Sequence, residues 1–249
     1  MATGVGRPRV VAVVQARAGS TRFPGKVLVR LGERPVLAWV VRAALAASGV
    51  DEVVVATSDT AADDAVAALA EELGVRAVRG PELDVVERFA IAAEVTRADA
   101  VVRLTADCPL LDPTLVQAVV GAWRADPSLE YVASTLVRTL PRGLDVELLS
   151  RPALEHVRSV ATGADRVHVT SRLYAVPGEH RTLGLVEQDD ASDLRVTLDT
   201  PEDLALLRAV VDELGDQARE RRALVALLRA RPDLTALNAH VRQKRLEDG

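Results

Sequence analysis

Between positions 15 and 26 the chain reads Gln-Ala-Arg-Ala-Gly-Ser-Thr-Arg-Phe-Pro-Gly-Lys, gathering two glycines, two hydroxyls and three cations into twelve residues. Holding a polyphosphate calls for this combination. Gly19 and Gly25 let backbone N–H groups approach anionic oxygens, Ser20 and Thr21 donate further hydrogen bonds, and Arg17, Arg22 and Lys26 neutralise charge. A Walker-type loop is a poor match, because five residues separate the glycines instead of four and Val27 follows Lys26 where Ser or Thr belongs. The plainer alternative is a solvated loop whose cations merely meet nearby carboxylates.

Two aspartates stand at matching places farther along. Asp107 falls in Arg-Leu-Thr-Ala-Asp-Cys-Pro and Asp199 in Arg-Val-Thr-Leu-Asp-Thr-Pro, each just past an apolar run. If those runs are parallel strands, both carboxylates reach the sheet edge that carries the glycine loop, in position to hold Mg²⁺ together with phosphate oxygens. The competing reading makes both acids turn caps ahead of proline-initiated helices.

Positioning these groups requires strands that end beside one another. Apolar, β-branched runs lie at Val10–Val14, Glu52–Ala56 and Ala100–Leu104, with weaker ones near Ala77, Tyr131, Leu185 and Arg195–Leu198. They alternate with helical periodicity at about 35–47, 61–73, 84–96, 113–123, 151–161 and 201–214. This is the pattern of an α/β fold, a mainly parallel sheet flanked by helices. Asp112-Pro113 and Thr200-Pro201 mark two helix starts, a capping side chain followed by proline at the first helical position. Beyond the core, about 9–214, an extension over 215–249 rich in Leu, Ala and Arg reads as two helices broken near Arg231-Pro232, packed on the body or on a neighbouring subunit. No repeat or low-complexity linker divides the chain, so residues 1–249 are expected to form one domain.

Charge narrows the partners. With 31 basic and 36 acidic residues the net charge is −5, which argues against a nucleic-acid partner. The single cysteine, Cys108, has no partner for an internal disulfide and fits a reducing compartment. The apolar run before Gln15 is too short for a signal peptide or a membrane span, so a cytoplasmic protein without a membrane partner is expected.

Several segments in order, QARAGSTRFPGK, VVVATSD, VRGPELDVVERF, VVRLTADCPLLDP, GLDVELL, HVT and TLDTPEDL, resemble the cytidylyltransferase family that includes CMP-sialic acid and CMP-Kdo synthetases. They most resemble its branch named for a spore-coat polysaccharide biosynthesis protein, and the likeness spans about residues 9–210. The resemblance implies a Rossmann-like nucleotidyltransferase fold, CTP as donor, Mg²⁺ as cofactor and a homodimer. It implies that Gln15, Ala16, Arg17, Gly19, Ser20, Thr21, Arg22 and Lys26 hold the triphosphate. Thr57, Ser58, Asp59, Gly80, Asp84, Arg88 and Thr105 would complete the nucleotide site, with Asp107 and Asp199 as the metal acids. Arg142, Asp145, Glu147 and His168 would face the acceptor, a sugar acid, another sugar or a phosphonate. Lys26, Arg17, Asp107 and Asp199 form the expected catalytic set, stabilising in-line attack of an acceptor oxygen on the α-phosphorus as pyrophosphate leaves.

The chain departs from the branch at Ala106 (usually Gly), Ser134 (usually Asn), Arg142 (usually Asp) and Val167 (usually Glu). All but the first sit where acceptor identity would be set. Simpler roles stand beside the implied ones. Asp145 and Glu147 fit the polar face of an edge strand after a Gly143 turn. Arg88 fits a surface cation pairing with Asp84 at i and i+4. His168 and His156 have no ligand-spaced partners in sequence, which speaks against zinc, and Cys108 fits a small packing residue. Two rival functions remain: a metal-dependent glycosyltransferase, which usually carries an Asp-x-Asp motif absent here, and a non-catalytic nucleotide-binding protein.

Overall fold

The computed structural model describes residues 6–243. In strand β1 (Val10–Gln15), Val10, Ala12 and Val14 enter one core cluster while Val11 and Val13 enter another, so the strand is buried on both faces. A period of two with no polar face is the mark of an interior parallel strand.

After β1 come a short antiparallel ribbon, β2 (Arg30–Leu31) with β3 (Arg34–Pro35), and helix α1 (Val36–Ala46). Strand and helix then alternate through β4 (Glu52–Ser58), α2 (Asp64–Glu72), β5 (Arg76–Gly80), α3 (Val85–Thr96), β6 (Ala100–Thr105) and α4 (Pro113–Ala125). The remainder comprises β7 (Tyr131–Ala133), β8 (Glu147–Ser150), α5 (Arg151–Val160), α6 (Ser171–Tyr174), β9 (Thr182–Gly184), α7 (Pro201–Leu214), α8 (Arg221–Ala230) and α9 (Pro232–Ala236).

The strands order as β5-β4-β1-β6-β8-β7-β9. The first four are mutually parallel, β8 runs antiparallel to both β6 and β7, and β9 is parallel to β7. Helices cover both faces. Buried side chains of α1, α2, α4, α7 and α8 join one cluster, and those of α3, α5 and α6 join the other. The expected α/β architecture, a mainly parallel sheet between helices, is therefore what folds.

Both marked helix starts are realised. Asp112 accepts from the Thr114 N–H at the head of α4, and Thr200 and Asp203 form a reciprocal capping box at the head of α7. The break near Arg231 separates α8 from α9, and Leu224, Leu228 and Leu234 pack the extension onto the body; residues 244–249 lie outside the described part. No helix among the described residues is long and apolar enough to cross a membrane.

Two expectations need correction. Residues Arg195–Leu198 form no strand, only an isolated bridge between Arg195 and Arg142, because the chain here is stitched to loops rather than to a continuous strand. And β8 is not an edge strand with a polar face. It lies between β6 and β7, so Glu147 points into the interior and is 6% exposed.

Candidate functional site

Three segments beyond the carboxyl ends of the parallel strands are tied by backbone hydrogen bonds. Ala106 N–H donates to the Gln15 carbonyl at 2.9 Å, Leu198 N–H to Asp107 at 2.8 Å, and Val196 N–H to Arg142 at 2.7 Å. Gly143 permits the last approach. It sits at φ +107°, and a Cβ there would lie 2.7 Å from the Thr197 nitrogen and the Val196 carbonyl carbon. This stitching brings Asp199 beside Asp107, although the two lie in distant parts of the chain.

The glycine loop folds back over the same edge. Gly25, at φ +71°, donates to Ala18, and the buried Asp63 accepts from Ala18 N–H at 2.6 Å and Ser58 N–H at 3.0 Å, pinning the loop to the end of β4. Burial alone would raise the Asp63 pKa, but these hydrogen bonds outweigh it and hold it below its ordinary value.

At the floor lies one cation between two acids. Lys26 Nζ is 2.7 Å from Asp107 Oδ2 and 2.7 Å from Asp199 Oδ1. The other Asp199 oxygen meets Arg22 at 2.9 Å and Arg195 at 2.7 Å. Burial works against the charges, but the facing partners win: the Lys26 pKa is raised, and the Lys26, Arg195 and Arg22 cations hold Asp199 down at about 2. Arg195 is in turn braced by Asp203, which is fully buried and also accepts from Asn238 of the extension at 2.8 Å.

Lys26, Asp107, Asp199 and Arg22 line a cleft of about 480 Å³. Of the expected residues, Gln15, Arg17, Ser20, Thr21, Arg22, Lys26, Thr105, Asp107, Asp199, Arg142, Asp145, Glu147 and His168 line it. Ala16, Gly19, Thr57, Ser58, Asp59, Gly80, Asp84 and Arg88 do not. Among these, Ala16 N–H donates to Ala56, Asp59 N–H donates to Gly80, and Gly19 faces Glu82. A second hollow of about 470 Å³ opens under the extension and shares Arg142 and Gln243 with the cleft.

Several single-residue readings change. Arg88 is not a surface cation. It is fully buried and donates to the Pro81 and Glu82 carbonyls, with Nε and Nη2 left unbonded among the described residues, while Asp84 caps α3 and pairs with Arg166 at 3.1 Å. Glu147 is gripped by Arg103, Tyr131 and Thr170, and Asp145 by Arg138 at 2.6 Å. Cys108 is buried, and burial with Asp107 alongside pushes its thiol pKa well up, as suits a packing residue. His156 does have ligand-spaced neighbours, since folding carries His180 and Glu179 to it from a distant loop.

Sequence reasoning missed Asp63, Arg103, Arg138, Arg195, Asp203 and Asn238. Only two left a signal: Arg195 stands four residues before Asp199, and Asp203 completes the Thr-x-x-acid pattern of a capping box. The others act through tertiary contacts that no local spacing announces.

Comparison with known proteins gives the family and the fold. A family model described as cytidylyltransferase matches residues 11–224. The spore coat polysaccharide biosynthesis protein SpsF of Bacillus subtilis is 31% identical over 233 residues, covering 90% of this chain and 95% of that protein. The 3-deoxy-manno-octulosonate cytidylyltransferase of Anaeromyxobacter dehalogenans is 39% identical over 137 residues, 54% of this chain and 53% of its own. Among solved structures, a cytidylyltransferase from Leptospira borgpetersenii superposes with a TM-score of 0.88 at 26% identity, covering 96% of this chain and 99% of that one.

Proposed function

This chain belongs to the cytidylyltransferase family, and from that premise we propose that it transfers CMP from CTP to a sugar acid, sugar or phosphonate acceptor with release of pyrophosphate. One observation carries the site assignment: Asp107 and Asp199 converge on a single cation at the floor of the cleft, directly beneath the glycine loop.

In this reading the acceptor oxygen attacks the α-phosphorus in line, the bond to the β-phosphate oxygen breaks, and pyrophosphate leaves. Gln15, Ser20, Thr21 and the loop backbone bind the triphosphate, and Arg17, Arg22 and Lys26 offset charge on the departing pyrophosphate. Thr57 to Asp59, Gly80, Asp84 and Arg88 back the nucleoside. The unbonded Nε and Nη2 of Arg88 and Oε1 of Gln15 support this, since buried polar atoms call for partners.

The two acids suit Mg²⁺. They already face one cation, they offer hard oxygen ligands, and the ion needs only one or two protein carboxylates when phosphates supply the rest. When bound there it would neutralise and polarise phosphate oxygens. Lys26, no longer held between the acids, then has its ammonium available for the phosphates.

On the acceptor side Arg142 is the distinctive group. Among the described residues no carboxylate lies within ion-pair distance of it, and burial, with Arg138 and Arg195 nearby, lowers its pKa. Such a cation favours an anionic acceptor, a sugar acid or phosphonate over a neutral sugar. Asp145 and Glu147 shape that side through Arg138 and Arg103, with His168 as a direct contact. We place the protein in the cytoplasm, acting as a homodimer; light scattering on purified protein tests the assembly.

The test of function is pyrophosphate release with Mg²⁺, each of the four ribonucleoside triphosphates, and a panel of sugar acids, sugars and phosphonates. Release with CTP and an anionic acceptor is expected. Sugar release from a nucleotide-sugar, without pyrophosphate from CTP, would overturn the reading.

A further inference from the structure

Away from the cleft, α5 presents His156, and the chain beyond α6 turns at Gly178, φ +83°, and runs through Glu179-His180-Arg181 into β9. His156, Glu179 and His180 each offer one ligating atom, and these atoms all lie within 4.8 Å of one another. The two imidazoles meet edge to face with centroids 5.3 Å apart. His180 is not a loose surface group, for its side chain is only 7% exposed.

Glu130 completes the arrangement. One of its oxygens lies 3.2 Å from His180 Nδ1, and the other accepts the Arg181 N–H at 2.9 Å. Its own N–H donates to the Arg181 carbonyl at 2.8 Å, so carboxylate and imidazole are fixed relative to each other by backbone. A carboxylate on Nδ1 sets the tautomer and leaves Nε2 with its lone pair outward, as the second shell of histidine–metal sites does. An ordinary Glu130–His180 pair would need neither His156 nor Glu179, yet both converge on it.

We propose that His156, Glu179 and His180 bind a first-row divalent metal of the Zn²⁺ class, with Glu130 as the orienting carboxylate. Two imidazoles are borderline nitrogen ligands that, joined by one carboxylate, favour Zn²⁺ or Co²⁺ over Mg²⁺, in contrast to the all-oxygen pair in the cleft. The metal would clip α5 to the approach of β9, fastening the outermost strand of the sheet. The proposal does not depend on which reaction the cleft performs.

The experiment uses full-length Asp107→Asn protein, in which the cleft no longer offers its pair of acids, stripped of metal by chelator and desalted. Zn²⁺ binding is followed by calorimetry and Co²⁺ binding by visible absorption. One equivalent of Zn²⁺ is expected, with visible Co²⁺ bands and no displacement by excess Mg²⁺. His156→Asn, on an exposed helix face, should keep the melting temperature of the metal-free protein while weakening Zn²⁺ binding at least about tenfold. His180→Asn should do the same to binding and abolish the rise in melting temperature that Zn²⁺ gives. Absence of binding in the Asp107→Asn protein, or unchanged affinity in both histidine variants, would overturn the proposal.

Discussion

Replacing Lys26 with Met removes the one cation that both cleft acids share while keeping a side chain of similar length. The cost can be scaled from Asp199, whose carboxyl is held at about 2 against an ordinary 3.8 and whose side chain is 13% exposed. At about 1.36 kcal/mol per tenfold change in proton affinity, this corresponds to roughly 2 kcal/mol. In the metal-free Met variant the two carboxylates face each other without that ammonium, while Arg22 and Arg195 still hold Asp199, so stability at neutral pH should fall by at most about this amount.

On the proposed metal role of the two acids, Mg²⁺ would no longer compete with an ammonium and should bind tighter, by at most about thirtyfold, the same roughly 2 kcal/mol ceiling at 1.4 kcal/mol per decade. Pyrophosphate release should nevertheless drop on the order of a hundredfold, because a charge-neutralising group is gone. Thermal melts across a Mg²⁺ series, run beside the turnover assay, read both quantities. If Mg²⁺ stabilises the Met variant less than the wild type, Lys26 is not competing for the metal position and the reasoning fails.

The sign of the pH dependence follows from the same carboxyl. Its folded pKa is depressed, so the stabilisation is present above 3.8 and is lost as pH falls from 3.8 through about 2; the gap in melting temperature between wild type and Lys26→Met should close over that window. Asp107→Asn and Asp199→Asn should each lower turnover by orders of magnitude, and near-wild-type rates in either would remove it from the metal site. Glu147→Gln leaves Arg103 buried without its carboxylate and should cost about 3–5 kcal/mol in denaturant unfolding, whereas unchanged stability with lost acceptor use would make Glu147 an acceptor ligand instead. Asn238→Ala removes one hydrogen bond to Asp203 and should cost about 1 kcal/mol or less while lowering kcat several-fold; an unchanged kcat would show that the extension does not position Asp199.

The part of the cleft lined by the glycine loop is legible in the sequence because its residues are contiguous. Gln15 to Lys26 follow one strand, and backbone continuity alone keeps them together. The matching runs before Asp107 and Asp199 single out two acids that do meet on one lysine, though for a partly mistaken reason. Asp107 does follow a parallel strand, but Asp199 follows a stretch that pairs with loops, placed by the close approach at Gly143. Period-two reasoning failed at β8, where Glu147 looks like an outward polar position but points inward onto Arg103 and Tyr131. A buried ion pair and an exposed face give the same alternation. His156 and His180 were illegible for a related reason, since ligand spacing in sequence exists only when both ligands share an element.

Charge pairing within the cleft gives the acceptor side its meaning. Each acid on the wall is already answered: Asp107 by Lys26, Asp199 by Lys26, Arg22 and Arg195, Asp145 by Arg138, and Glu147 by Arg103. Among the described residues, Arg17 and Arg142 are lining cations without a carboxylate partner. One belongs to the glycine loop, where a triphosphate would sit. The other is rooted by two backbone bonds to the segment that carries Asp199, so it cannot drift without moving that segment. A neutral sugar would leave that half-buried guanidinium unanswered, and a carboxylate or phosphonate would answer it with a charge-assisted, two-pronged contact. The family branch that this chain resembles usually carries an aspartate there. On that resemblance, an arginine in place of an acid fits the proposed anionic acceptor.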